Sequence, residues 1–280
     1  MDSLLEVPNS ELPKLRDLFR THWPHGVEGF CLLNANILYP ALTEFFSFKF
    51  YCPGGKIANG LVAISDKEYY QVYICPVTED VSIMENALYK TSVIDWNRVV
   101  TVPSASANVV AALKRLCSRL DLKIIYENRC CKHLLDRDNK PFDLSDPVNT
   151  YVGPMKREHL KLVNETWTFY SDRSYSLFET LMNNGLTYML YSSEDHSPLS
   201  WITVDEAGAF THLYCLDAYR RKGYAEYITK VTVNDLLQQG KDVLAYTLED
   251  NVKPQKLFEK LGFDFLGYVW WIRLTKDKGN

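Results

Sequence analysis

Tyr219-Arg220-Arg221-Lys222-Gly223-Tyr224-Ala225 is the most informative stretch of this 280-residue sequence. Before it, Ala209 to Leu216 (AFTHLYCL) is rich in β-forming residues and predicts a strand. After it, Tyr224 to Gln239 predicts a helix that Gly240 ends. A loop between a strand and a helix turns the first N–H groups of the helix outward. Those unpaired donors and the partial positive charge of a helix N-terminus suit a phosphate or pyrophosphate. Gly223 removes a side chain where such an anion approaches the backbone, and Ala225 keeps the next contact small. Arg220, Arg221 and Lys222 add positive charge. The same residues also make an ordinary solvated basic turn, because short glycine motifs recur by chance. The strand–loop–helix setting favours the anion site.

The elements around this loop follow in a legible order. His159 to Phe169 and Tyr175 to Asn183 predict helices, and Thr187 to Tyr191 and Leu199 to Val204 predict strands. Asp205-Glu206-Ala207-Gly208 predicts the hairpin turn that leads back into Ala209. Beyond the loop helix come a strand at Val243 to Leu248 and a short helix at Pro254 to Leu261. Two closing strands follow, at Phe263 to Phe265 and Tyr268 to Leu274. The first half is sparser. Ser10 is placed to cap a helix whose Leu12, Leu15, Leu18 and Phe19 share a face. Glu68 to Cys75, Arg98 to Val102 and Leu122 to Tyr126 predict strands. Asn108 to Leu120 predicts an amphipathic helix. Pro53-Gly54-Gly55-Lys56 lacks the full phosphate-loop spacing and predicts a turn. The polar residues 136–150, with two prolines, read as a connector. Domains usually hold about 100–200 residues, so two are expected, 1–140 and 141–280.

Composition excludes several classes. Hydrophobic residues at 46% and charged residues at 24% are those of an ordinary globular chain, not a disordered or fibrous one. Lys plus Arg is 31 against 35 Asp plus Glu, a net charge of −4. That argues against a nucleic-acid partner, because phosphate neutralisation needs a basic face. No apolar run approaches the roughly 20 residues of a membrane span. The start, Met1 to Glu6, has neither a signal-peptide pattern nor the Arg-rich look of a transit peptide. A cytoplasmic protein with no membrane association is expected. The seven cysteines are odd in number and contain no C-x-x-C, which predicts buried free thiols in a reducing compartment. Cys130-Cys131-Lys132-His133 lacks the second cluster that structural zinc needs, so no metal is expected.

Arg220-x-x-Gly223-x-Ala225 matches the Arg/Gln-x-x-Gly-x-Gly/Ala signature of the GCN5-related N-acetyltransferases. Asn251 to Phe263 (NVKPQKLFEKLGF) resembles that superfamily's next segment, in which an Asn opens a helix and Gly-Phe ends it. This resemblance spans residues 150–274. A nearer likeness is to the glycine N-acyltransferase family. His159 to Trp167 (HLKLVNETW) resembles its HLVNxFW stretch, and Ile94-Asp95-Trp96 its INW. Leu216, Tyr219, Arg220 and Gly223 resemble its LPEYRxxG loop. The resemblance implies an α/β fold, a tandem of two acyl-CoA N-acyltransferase units, each a mixed, mostly antiparallel sheet flanked by helices. The first unit is expected to be degenerate, since residues 1–150 lack the motif. The implied co-substrate is acyl-CoA or acetyl-CoA. Its implied binding residues are Leu213, Tyr214, Cys215, Leu216, Arg220, Arg221, Lys222, Gly223, Tyr224, Ala225 and Asn251. The strand at Leu213 to Leu216 is expected to bulge and pair with the pantetheine arm, the backbone of Tyr214 or Leu216 polarising the thioester. The implied acceptor is a small amine or amino acid such as glycine. By family analogy a mitochondrial location stands beside the cytoplasmic one, and a monomer or homodimer is expected.

Acyl transfer to an amine needs a fixed thioester, a destination for the amine proton and donors for the tetrahedral oxyanion. The position of the family's base is Ala218, which takes no proton. His212 and Asp217 are therefore the candidate catalytic residues, with Glu249 a further carboxylate near the end of the following strand. A histidine has the right range for base work at neutral pH, although a lone one on a strand is more often packed. The superfamily's thiolate-protonating Tyr corresponds to Phe258. These two departures leave room for a weak or inactive acyl-CoA-binding relative with a regulatory role. A protein or peptide N-acetyltransferase is a third reading. Trp167, Trp201, Trp270 and Trp271 are candidates for a pocket wall or for core packing. Arg173 is a candidate to bind an acceptor carboxylate.

Overall fold

The computed structural model describes residues 2–67, 70–171 and 174–277, and it divides into two compact units. The first comprises Met1–Lys132, Leu248–Asp250 and Leu266–Asn280, and the second His133–Thr247 and Asn251–Phe265.

The first unit begins with β1 (Leu4–Glu6), α1 (Leu12–Thr21), α2 (Val27–Leu38) and α3 (Pro40–Phe46). It continues through β2 (Phe48–Pro53), β3 (Leu61–Asp66), β4 (Tyr70–Cys75), α4 (Ser82–Lys90), β5 (Val100–Ala105) and α5 (Ala107–Leu120) into β6 (Leu122–Leu135). Strands β1 to β4 pair antiparallel in sequence order, and β5 joins β4 in parallel. The apolar stripe of α5 (Val109, Val110, Leu113, Leu116) and Met84 and Leu88 of α4 pack on Val62, Ile64, Val72, Ile74, Val100 and Val102. Ser10 caps nothing: it lies in a 3-10 turn, Asn9–Glu11, and Pro13 sets the first turn of α1. The Pro53–Lys56 segment is a turn, with Gly54 and Gly55 both left-handed.

The second unit runs through β7 (Thr150–Gly153), α6 (Leu160–Glu165), α7 (Ser174–Asn183), β8 (Thr187–Ser192), β9 (Pro198–Val204) and β10 (Ala209–Cys215). Then come α8 (Tyr224–Gln238), β11 (Val243–Leu248) and α9 (Val252–Lys260), and β12 (Asp264–Lys276) starts here and belongs to the first unit from Leu266 on. Strands β7 to β10 pair antiparallel and β11 lies parallel to β10. The helix expected to reach Phe169 stops at Glu165. There Thr166 returns its hydroxyl to the Leu162 and Val163 carbonyls at 2.8 and 3.1 Å, and the Trp167 N–H shortens its bond to Asn164. The two expected closing strands are one, β12, because Gly267 at φ 93° turns without breaking it. The 136–149 connector is fastened to its own unit. Arg137 pairs with Asp242, and Phe142 and Asn234 exchange hydrogen bonds of 2.7 and 2.8 Å. All seven cysteines are free. Cys117 and Cys215 are half-buried and the others buried.

Candidate functional site

The site is built on a break in one strand. Thr211 of β10 faces Thr203 and Tyr214 faces Trp201, so two residues, His212 and Leu213, stand opposite Ile202 alone. This β-bulge is the expected irregularity, one step earlier than the Leu213–Leu216 stretch. His212 takes a left-handed backbone at φ 46°, unusual for a non-glycine residue. Beyond the bulge the Ser200 hydroxyl donates to the Tyr214 carbonyl at 2.7 Å, and the Leu216 N–H reaches Leu199 O at 3.0 Å. The bulge therefore keeps β10 on β9. Its other edge is different. Among the described residues, β10 pairs with β11 only through Ala209↔Leu244 and Phe210↔Ala245. From Thr211 to Cys215 that edge is open, and all five residues are half-exposed.

At the end of this open edge the chain makes a short 3-10 turn, Asp217–Tyr219, and enters the basic loop. Arg221 and Gly223 both have left-handed backbones, at φ 65° and φ 81°. Gly223 immediately precedes α8, and a Cβ built there would project into open space. The first capped bond of the helix is Tyr227 N–H to Gly223 O at 2.9 Å. Among the described residues, the backbone N–H groups of Arg221 to Glu226 find no protein acceptor. Six consecutive donors thus meet at one turn beside the Arg221 and Lys222 side chains. Arg220 folds back instead: its Nε donates to Cys215 O at 3.2 Å and it bridges Asp217 at 2.6 Å. The Lys222 ammonium lies 5.2 Å from the Tyr219 ring centroid.

His212 points away from the loop, towards α6 and α7. Its Nε2–H donates to the Val163 carbonyl at 2.8 Å, with the Thr166 hydroxyl 3.4 Å away. The ring lies among Phe178, Trp201, Tyr214 and Trp167, with centroids 5.3, 5.9, 5.9 and 6.4 Å away. Burial pushes its pKa down to about 4, against the smaller upward pull of the Val163 bond. It is a neutral imidazole at pH 7, with the Nε2 proton committed. Asp217 is exposed and held by Arg220.

The remaining candidates divide. Asn251 is exposed at the start of α9 and its side chain caps nothing. Phe258 is buried against Phe263, His133 and Phe210. Glu249 belongs to the first unit, where it pairs with Arg129. Trp201 is fully buried and stacked on Tyr214, and its indole Nε1 finds no acceptor among the described residues. Trp167 is half-buried in the same ring cluster. Trp270, by contrast, packs against the core of the first unit. Arg173 lies outside the described residues. Sequence reading missed Ser200, whose hydroxyl holds the strand just past the bulge, and Thr166, whose hydroxyl bonds the end of α6 beside His212; no residue pattern marks either. Among the described residues no cluster of three or more metal-ligating side chains forms. No helix among them is long and apolar enough to cross a membrane.

A bulged strand, an open edge and a cradle of N–H groups at a helix start lie together in the second unit, and the fold is that of a tandem GCN5-related N-acetyltransferase. A tandem GNAT protein from the clavulanic acid biosynthesis pathway superposes with a TM-score of 0.56 at 12% identity, covering 99% of each chain. A Drosophila protein superposes with a TM-score of 0.85 at 16% identity, covering 99% of this chain and all of that one. At these identities the likeness is one of fold. The FR47-like protein family model matches residues 188–272, from β8 into β12. Glycine N-phenylacetyltransferase from Bos taurus is 22% identical over 219 residues, 72% of each chain. Glycine N-acyltransferase from Bos taurus is 23% identical over 209 residues, 69% of each. The chain has the fold of the GCN5-related N-acetyltransferases and is similar in sequence to the glycine N-acyltransferases.

Proposed function

We propose that this protein is an acyl-CoA-dependent N-acyltransferase whose acceptor is the amine of a small molecule such as glycine or another amino acid. Residues 141–280 carry the reaction and residues 1–140 form a degenerate domain. One observation carries the reading: six unpaired N–H groups, Arg221 to Glu226, stand at the end of a bulged strand with an open edge. The cradle suits the coenzyme pyrophosphate, with Arg221 and Lys222 adding charge. The open backbone of Leu213 to Leu216 suits the amides of the pantetheine arm, leaving the thioester near the bulge. Tyr224 and Ala225 contribute their N–H groups, and Asn251 is proposed to contact the coenzyme from the start of α9.

The amine attacks the thioester carbonyl, the N–C bond forms, and the C–S bond breaks as coenzyme A leaves. Backbone N–H groups at the open edge stabilise the oxyanion. The amine proton passes through water to the exposed Asp217 carboxylate, because the His212 Nε2 proton is already committed to Val163 and its ring is packed among other rings. The departing thiolate takes its proton from water, since Phe258 is buried among rings and has none to give. That last point also favours a second reading, a slow or inactive acyl-CoA-binding relative.

A coenzyme A release assay separates the two. Acetyl-, benzoyl- and longer acyl-CoA are tested against a panel of amino acids and amines. Acceptor-dependent thiol release supports the transferase. Acetyl-CoA binding without release supports the binding relative, and no binding refutes both.

A further inference from the structure

We propose that His212 is a positioning residue that sets the shape of the β10 bulge by pinning it to the end of α6. The proposal rests on the coenzyme reading of the bulge given above. Three observations converge on it. First, His212 is the residue in the bulge that holds the left-handed backbone, at φ 46°. An L-residue in that region stays there only when its surroundings hold it. Second, its Nε2–H reaches the Val163 carbonyl at 2.8 Å. That carbonyl lies in the last turn of α6, where the ladder has ended: Trp167 N–H bonds Asn164 O instead. The imidazole therefore adds an N–H donor to a carbonyl that otherwise receives only the Thr166 hydroxyl, and the helix end gives the bulge an anchor. Third, the ring is enclosed by Phe178, Trp201, Tyr214 and Trp167, which fixes its rotamer. With Nε2 protonated, the tautomer is fixed too.

The consequence is that the open edge from Leu213 to Cys215 keeps the geometry the pantetheine arm needs only while the pin is in place. A side chain with a donor at the same reach should replace the imidazole, whether or not it titrates. His212→Gln keeps such a donor, His212→Ala removes it, and His212→Gly removes it while making the left-handed backbone easy.

Two measurements test this on the full chain. Amide hydrogen exchange of the unliganded protein should be at least tenfold faster across 211–216 in His212→Ala and His212→Gly than in the wild type. In His212→Gln it should stay within about threefold, with 187–192 of β8 unchanged in all three. Titration with acetyl-CoA should show at least a tenfold rise in Kd for Ala and Gly and near wild-type binding for Gln. Wild-type exchange at 211–216 in the Gly variant would overturn the proposal, because the backbone alone would then set the bulge. Gln behaving like Ala would overturn it as well. Accelerated exchange in Ala and Gly, with no acetyl-CoA binding even in the wild type, would uphold the pin and refute the coenzyme reading. If His212 were instead the catalytic base, acetyl-CoA affinity would stay constant across the series while turnover fell in Gln as far as in Ala.

Discussion

Replacing Gly223 by Trp addresses the coenzyme cradle directly. Gly223 stands between two groups of the six unpaired donors, and the space over its Cα is open. A side chain there fills the volume an anion must enter without first colliding with the protein. A hydrogen bond to a charged acceptor is worth about 1.5–3 kcal/mol. An indole that keeps a pyrophosphate from three of the six donors should therefore remove at least about 4.5 kcal/mol of binding, more than a thousand-fold in Kd. The left-handed backbone at φ 81° adds a separate effect on folding, about 1–2 kcal/mol for any L-residue. Gly223→Ala separates the two, since it carries the backbone strain with little bulk. Both variants should show a similar fall in Tm in the absence of ligand. Only Trp should lose coenzyme A by about three decades or more in isothermal titration, while Ala loses well under one. If the Trp variant binds coenzyme A within threefold of the wild type, the anion does not sit on these N–H groups and the cradle argument is refuted.

Lys222→Ala should weaken coenzyme A several-fold at low ionic strength and hardly at all in 0.5 M salt, because an exposed ammonium acts through a screened field; titrations at two salt concentrations check this. Burial, then the nearby Glu206 carboxylate, hold the Asp205 carboxyl well above the ordinary range, while the Ala209 and Ala207 N–H groups pull it the other way. The native state keeps a proton there that the unfolded chain has lost, so stability should fall as pH rises from about 5 to 8, by up to about 1.4 kcal/mol per pH unit. Asp205→Asn keeps the acceptor oxygen and should flatten that part of the Tm–pH curve; an unchanged slope would exclude Asp205 as its source. His212 acts with the opposite sign. Its pKa is depressed to about 4, so its contribution is present above about 6.5 and is lost as pH falls towards 4. Acid unfolding of His212→Gln should lack that loss when followed by circular dichroism.

The loop could be read in the sequence because three local signals coincide there: β-forming residues, a glycine among cations, and a helical pattern that stops at Gly240. The amphipathic α5 was legible for a similar reason, since one face alone is apolar. In contrast, α2 was not. Its VEGFCLLNANIL run buries eight of twelve residues, so no stripe distinguishes it from a strand. The early stop of α6 follows from the hydroxyl of Thr166 turning back on the helix, which composition does not announce. The length of β12 hid behind Gly267, a residue that usually marks a turn. Two residues apart, His212 and Tyr214 share a face by simple alternation, and their rings lie 5.9 Å apart; the bulge itself is a relation between two strands that neither strand's residues state alone.

The first unit also shows why a repeated fold need not repeat a site. It too runs from a strand, β4, through a short loop into a helix, α4. There the loop is Pro76-Val77-Thr78-Glu79-Asp80-Val81, acidic where the second unit is basic. The Asp80 carboxylate accepts the Ser82 N–H at 2.9 Å, so the helix start already holds an anion of its own. A pyrophosphate brought to this turn would meet two carboxylates and displace a cap. The strand differs as well. Its register with β3 is unbroken from Leu61↔Cys75 to Asp66↔Tyr70, with no bulge. Val72 and Ile74 bury their side chains with Val100 and Val102 of β5. Coenzyme A should therefore bind with a stoichiometry of one per chain in calorimetry. Asp80→Gly with Glu79→Lys should not add a second site, because changing the charge leaves the strand without a bulge. A second equivalent bound by the wild type would refute the argument from charge and strand together. A second equivalent gained only by the double variant would refute the part that requires a bulge.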